Sequence, residues 1–262
     1  MATNEQLGFD DATAERLSAM YETPDVRRRR SIAVSALGAR PGERLLDVGC
    51  GPGFFVSDLL PVVGPPGAVV GVDSSEPMLG LARRRCADAP NAEFHEGAAT
   101  ALPFGDAEFD AVLSVQVMEY VDDIPLALGE IHRVVKPGGR VLIWDTDWST
   151  VSWHSSDESR MAAVLADWDA HLRHPCLPRV LAHRLREVGW VEVEAAGHNW
   201  TNLELTAETI SASMLGLIAN FVGPRMGSEV VDAWTDDLRR LSDRGEYFFS
   251  YDQFCFTARK PD

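Results

Sequence analysis

Four residues stand close enough together to make a ligand-binding turn. An apolar run ends in Asp47 and is followed by glycines at alternate positions, Gly49, Gly51 and Gly53, within Leu45-Leu46-Asp47-Val48-Gly49-Cys50-Gly51-Pro52-Gly53. The run reads as a buried strand turning sharply into a helix. Glycine there lets the backbone approach a ligand, because a Cβ would fill the ligand's space or forbid the dihedral angles of the turn. A nucleotide-like group is the natural occupant, and spacing separates the kinds. A dinucleotide fingerprint needs glycine at its first, third and sixth positions, but the sixth is Phe54 counted from Gly49, or Val56 counted from Gly51. A phosphate-cradling loop ends in Gly-Lys-Ser/Thr, whereas this one continues Phe54-Phe55-Val56. One acid and several backbone donors remain, with no cation aimed at phosphate. That set suits a zwitterionic or cationic ligand better than a polyanion.

The surrounding elements must hold this turn at an edge. Strand and helix alternate over 44–48, 54–60, 68–73, 76–87, 92–96, 111–114, 124–135 and 140–145, which predicts a parallel sheet with helices on both faces. Ligands of such sheets bind at the carboxyl ends of the strands, beside the point where strand order reverses. Asp47, Asp73, Ala98 to Thr100 and Ser114 to Gln116 then share one rim. Two helices are expected over about 10–37, broken at Thr23-Pro24 and placed to lie over the ligand. After Trp144 the alternation stops. Residues 146–178 carry Trp148, Trp153, His154, Trp168, His171 and His174, too long and aromatic for an ordinary connection, and are expected to cover part of the pocket. A helix over 179–188 and a strand over 190–195 resume the core, 206–244 reads as a second helical insert, and 246–258 alternates as a strand does. The expected organisation is one domain over 1–262, with a helical cap over 1–40, a core over 41–145 and the two inserts over the pocket.

The stretch 45–53 resembles motif I of the class I S-adenosylmethionine-dependent methyltransferases, and four later blocks fall into step with that pattern. Ala68-Val69-Val70-Gly71-Val72-Asp73 is similar to the second strand with its terminal acid. Gly97 to Phe104, Phe109 to Gln116 and Arg133 to Arg140 are similar to the later blocks in order and spacing, so that the resemblance covers about 21–144. It implies a Rossmann-like α/β fold: a seven-stranded, mostly parallel sheet with helices on both faces, an antiparallel last strand and helical inserts covering the acceptor pocket. It also implies S-adenosylmethionine as cofactor, with S-adenosylhomocysteine as product. In the family's arrangement Asp47 and the backbone around Gly49 hold the amino-acid end, Tyr21 and Arg30 approach the methionine carboxylate, and Asp73 meets the ribose. Met78 or Leu79 packs beside the adenine; Gly51, Gly53, Ser74, Ser114 and Gln116 complete the expected cofactor-binding set. Many relatives carry an acid after the glycine of the third block, where Ala98 stands here; the backbone of Ala99 and the hydroxyl of Thr100 are expected to serve instead.

The resemblance is closest to the branch with quinone-biosynthesis and natural-product tailoring enzymes. Methyl transfer to a small apolar or aromatic acceptor is therefore expected, by in-line displacement, and tryptophans 148, 153, 168 and 200 point the same way. The alternative is a non-catalytic cofactor-binding regulator, or a lyase on the same scaffold. A general base matters only for a hydroxyl or acidic-carbon acceptor, since a neutral amine attacks with its own lone pair. Tyr120, Asp147 and His154 are the expected catalytic residues, from a wider set that includes Asp145, His171 and His174. No metal is expected, because Pro175 interrupts the His171, His174 and Cys176 cluster and no second cluster completes four ligands.

Composition bounds the partners. Over 262 residues, 24 basic against 40 acidic side chains give a net charge of −16, which disfavours nucleic acid and anionic membranes. No apolar stretch approaches a membrane span, the start Met1 to Gln6 lacks a basic, apolar leader, and the four scattered cysteines form no C-x-x-C pair. A cytoplasmic monomer or homodimer is expected.

Overall fold

The computed structural model describes residues 18–262. The earlier part of the expected cap, including the leader region, lies outside the described residues.

Helix α1 (Pro24–Leu37) leads into β1 (Arg44–Val48), α2 (Phe54–Val63), β2 (Ala68–Asp73), α3 (Glu76–Arg85), β3 (Ala92–Glu96) and β4 (Phe109–Val115). A 3-10 turn (Met118–Tyr120), α4 (Ile124–Val134), β5 (Val135–Trp153), α5 (Glu158–Asp169), α6 (Pro178–Glu187), β6 (Val191–Asn202), α7 (Ile210–Met226), α8 (Ser228–Asp243) and β7 (Phe249–Arg259) follow. The seven strands lie in the order β3-β2-β1-β4-β5-β7-β6. β1 pairs parallel with β2 and β4, and β7 runs antiparallel between β5 and β6. The expected sheet is thus present, and its order reverses between β1 and β4.

Strands β1, β2 and β4 are apolar almost throughout because both faces of the sheet are covered. Alternate residues divide between two cores. Leu45, Val69, Leu113 and Leu142 pack with α1, α2, α7 and α8, whereas Leu46, Val70, Val112 and Val141 pack with α4 and α6. Short polar side chains start the helices that face the rim: Ser75 Oγ accepts the Met78 N–H at 3.4 Å, and Asp123 Oδ1 accepts the Leu126 N–H at 2.9 Å. Pairing between β5 and β7 corrects one expectation. β5 does not stop near Asp145 but runs on through Thr146↔Gln253, Asp147↔Asp252 and, past an irregularity, Trp153↔Phe249. The partner strand lies about a hundred residues away in sequence, so local pattern carried no sign of it.

The inserts form α5, α7 and α8, and their tryptophans turn inward. Trp148 and Trp168 meet edge-on at 5.7 Å, Trp153 and Trp234 at 5.6 Å. Trp148, Trp153, Trp168 and Trp200 are all buried in one core. They are spent on packing rather than on an acceptor surface, which corrects the inference drawn from them.

Candidate functional site

A cavity of about 510 Å³ opens at the carboxyl ends of β1, β2 and β4. One part of its wall is Gly49, Gly51, Asp73, Ser74 and Met78, continued by Ala98, Ala99 and Thr100. The other is Val115 to Val117, Tyr120, Val121 and Leu126, with Asp122 and Asp123 at its edge, and Tyr21 joins the lining from the chain before α1. It therefore sits where strand order reverses, as the rule for open sheets requires.

The turn after β1 is shaped by glycine. Gly49 has φ +72°, and a Cβ there would stand 2.3 Å from Val117 Cγ2. Gly51 has φ +49°, and a Cβ would meet nothing within 4 Å, so the backbone faces open cavity. Asp73 holds the turn from the next strand, accepting the Gly51 N–H at 2.8 Å and the Ser75 N–H at 2.9 Å. Burial raises the Asp73 carboxyl against the pull of those donors. Gln116, at the end of β4, has φ +58°, an unusual conformation for a side-chain-bearing residue. Its Oε1 accepts Thr146 Oγ1 at 2.8 Å and Gln253 Nε2 at 2.9 Å, which holds it there.

Two ionisable groups of opposite kind, an acid and a base, lie buried behind this lining. Asp47 is 1% exposed, and its Oδ2 has no hydrogen-bond partner. Burial, helped by the nearby charge of Asp73, pushes its carboxyl well above the usual range. Arg29 is 3% exposed with Nε and Nη2 unpartnered, its guanidinium 5.8 Å from the Tyr21 ring. Tyr21 feels Arg29, Asp47 and Asp73 together, so these groups surround one place. Orphaned buried charges are costly unless a ligand completes them. An ammonium fits Asp47 and a carboxylate fits Arg29, which is the donor set that an amino-acid end requires.

The expected arginine, Arg30, is partnered within the fold. Arg30 is also buried, but its Nε donates to Asp58 Oδ2 at 2.8 Å and its Nη1 to the Tyr21 carbonyl, and it does not line the cavity. The inward stripe of α1 is Val26, Arg29, Arg30, Ala33 and Leu37, so helical spacing could have narrowed four arginines to two. Of the other expected residues, Tyr21, Gly49, Gly51, Asp73, Ser74, Met78, Ala99, Thr100, Gln116 and Tyr120 line the cavity. Gly53 instead packs on α3, where a Cβ would lie 2.8 Å from the Ala82 Cβ, and Ser114 is fully buried outside the lining.

Asp147 and His154 lie away from this lining. Both ride on the extension of β5 and its end, and because Trp144↔Cys255 and Trp153↔Phe249 stand six residues apart on β7, that extension carries His154 roughly 20 Å along the sheet. Asp147 accepts Arg179 Nε at 2.7 Å and Ser149 Oγ at 2.7 Å, contacts that hold its carboxyl below the usual range despite burial. His154 is exposed, and its backbone N–H is bonded to the Phe248 carbonyl at 3.0 Å. The inserts reach the cavity from behind rather than over it: His171 lies 5.6 Å from the Tyr120 ring and 4.9 Å from that of Phe221. His171 Nδ1 meets the Trp168 carbonyl, and burial lowers its pKa to about 4, so the imidazole is neutral.

Two carboxyls flank Tyr120: Asp145, which belonged to the wider expected set, and Glu119, which did not. Glu119 Oε2 accepts Trp148 Nε1 at 2.7 Å, and burial raises the carboxyl to about 7 against that bond. Asp145 Oδ1 accepts the Val117 N–H at 3.2 Å, and burial, together with the charge of Glu119, pushes it well up.

Comparison with known proteins agrees with this geometry. Residues 46–143 match a family described as a methyltransferase domain. An uncharacterized 37.1 kDa protein of a Streptomyces fradiae transposon is 34% identical over 186 residues, 70% of this chain but 54% of that protein, so the chain spans about half its length. A demethylmenaquinone methyltransferase of Symbiobacterium thermophilum is 35% identical over 178 residues, 59% of this chain and 71% of the relative. Phosphoethanolamine N-methyltransferase 2 of Haemonchus contortus, solved with S-adenosyl-L-methionine, shares the fold at TM-score 0.63 and 18% identity, over 97% of this chain and 58% of that one. From the match in sequence, the Rossmann-like sheet and a rim that fits the cofactor, the chain belongs to the class I S-adenosylmethionine-dependent methyltransferases, a family of enzymes.

Proposed function

We propose that the protein methylates a small, mainly apolar or aromatic acceptor lodged on the Tyr120 side of the cavity. The observation that carries this reading is the pair of orphaned buried ionisable groups, Asp47 Oδ2 and the Arg29 guanidinium, beside a glycine turn open to the cavity. Asp47 would hold the ammonium of S-adenosylmethionine, Arg29 its carboxylate, Asp73 its ribose and Met78 its adenine. When bound, the cofactor supplies a sulfonium-activated methyl group, leaving S-adenosylhomocysteine after the in-line transfer.

The chain's own contribution is position and the exclusion of water. Val115, Val117, Val121 and Leu126 offer an apolar wall, and the Tyr120 side chain completes it. A quinone-type acceptor is supported by that wall and by the name of the 35% identical relative. The whole of 1–262 acts as one unit in this reading, with the inserts at 146–178 and 206–244 backing the acceptor side through Tyr120. Four free cysteines, three of them buried, favour the cytoplasm, where the protein works as a monomer or homodimer.

Calorimetry with S-adenosylhomocysteine, with NAD as control, tests the cofactor assignment. Micromolar binding of the first and none of the second is expected; binding of neither overturns it. With S-adenosylmethionine added, 1,4-dihydroxynaphthalene should then drive release of S-adenosylhomocysteine above the background without acceptor.

A further inference from the structure

Glu119 is 1% exposed in the 3-10 turn between β4 and α4, yet its neighbour Tyr120 is part of the cavity wall. Its carboxyl is fixed at one oxygen by Trp148, with the Thr146 N–H and the Tyr120 phenol beside it. Trp148 donates to Oε2, while Oε1 has no hydrogen-bond partner at normal geometry although the Tyr120 phenol lies beside the carboxyl. The backbone is pinned too: the Arg173 and His174 N–H groups donate to the Glu119 carbonyl at 3.0 and 3.1 Å. The charged and titratable groups that face this carboxyl come from every side. Arg29 reaches it from α1, Asp145 from β5 and Tyr251 from β7, while Tyr120 adjoins it in the chain and His171 packs on the Tyr120 ring.

Burying a carboxylate costs several kcal/mol. Such a group is pointless for an amine acceptor, which attacks with its own lone pair, but useful for one that must lose a proton. We propose that Glu119 takes up, through the Tyr120 hydroxyl, the proton of a phenolic or enolic acceptor, so that the site selects acceptors with an ionisable O–H. The acceptor's O–H bond breaks and its oxygen keeps the electron pair. That proton bonds to Tyr120 Oη as the phenol's own proton passes to Glu119 Oε1, which later releases it to water. Glu119 is thus a positioned proton acceptor acting through Tyr120. Its pKa of about 7, set by burial against Trp148, Tyr120 and Arg29, lets it receive a proton near neutrality and give it up again.

This inference rests on the methyltransferase reading, and its test separates the two. With S-adenosylmethionine saturating, turnover of 1,4-dihydroxynaphthalene is followed from about pH 5.5 to about pH 9, and S-adenosylhomocysteine affinity is measured alongside. In the wild type kcat should rise with an apparent pKa of about 7 as Glu119 loses its proton. Glu119→Gln should lose that limb and about a hundredfold in kcat with S-adenosylhomocysteine affinity intact. Tyr120→Phe, which leaves the Trp148 bond in place and serves if Glu119→Gln does not fold, should do the same. A flat wild-type profile, an unchanged profile in both variants, or no turnover by a protein that binds S-adenosylhomocysteine overturns the proposal alone. Failure to bind S-adenosylhomocysteine overturns the methyltransferase reading and takes this proposal with it.

Discussion

Replacing Asp47 by asparagine should move stability and cofactor affinity in opposite directions. The carboxyl is buried with Oδ2 unpartnered, and burial together with Asp73 raises its pKa well above the usual 3.8. A folded pKa above the unfolded one means that the native state binds the proton more tightly, so stability falls as pH climbs from the unfolded value towards the folded one. At neutral pH the wild type therefore carries a cost that Asp47→Asn removes. That cost is about 1.4 kcal/mol for each unit by which the fold raises the pKa, up to the working pH. At roughly 2–4 °C per kcal/mol, the ligand-free variant should melt at least a few degrees higher at pH 7, and the gain should shrink as the pH is lowered. Affinity goes the other way. A hydrogen bond to a charged group contributes about 1.5–3 kcal/mol, so S-adenosylhomocysteine should bind roughly 10- to 150-fold more weakly to the variant. Binding to the wild type should also release the carboxyl proton, making the calorimetric enthalpy depend on the buffer's ionisation heat, whereas the variant should lack that part of the dependence. Thermal melts with and without S-adenosylhomocysteine, paired with calorimetry in two buffers, read all three. A variant that melts lower and binds as well as the wild type would refute the assignment of Asp47 to the cofactor.

Three further outcomes follow from the same geometry. Gly49→Ala places a Cβ 2.3 Å from Val117 Cγ2 at φ +72°; overpacking of about 1–3 kcal/mol and a left-handed penalty of about 1–2 kcal/mol should show as a lower urea midpoint, and an unchanged midpoint would contradict the packing. His171 is neutral with its pKa lowered to about 4, so its share of stability is present above 6.5 and lost as pH falls through about 4. Acid unfolding of His171→Phe should accordingly begin at lower pH than that of the wild type. Asp147→Asn should leave S-adenosylhomocysteine affinity and turnover unchanged while costing up to about 1 kcal/mol of stability, since the paired Arg179 is largely exposed. Its carboxyl sits below the usual range, so that difference should fade as pH drops below about 4 and the wild-type group is protonated.

The rim proposed for the cofactor was legible because it is built from contiguous residues at strand ends. Asp47, Gly49 and Gly51 lie within five positions, Asp73 ends the next strand, and their placement follows from alternation and a short turn. The acceptor half was less so. Tyr120 could be named, but the Glu119 carboxyl is bonded by Trp148 of β5, 29 residues on in the chain. Four tryptophans chosen as an acceptor surface became core for a similar reason: the inserts fold against one another and onto β7, a contact that no local pattern encodes.

By itself the sequence determined the alternation that makes a parallel sheet and its apolar strands, because those depend on periodicity, while the class of cofactor followed from the family its motifs resemble. Tertiary structure alone decided which of two neighbouring arginines meets Asp58 and which is left with an open guanidinium, and how far β5 carries Asp147 and His154 from the rim. Those choices turn on a helix's rotation and on a strand pairing across a hundred residues. Burial and charge are then shared among groups distant in the chain, so the strengths of Asp47, Glu119 and Asp145 as acids belong to the folded arrangement rather than to any segment of it.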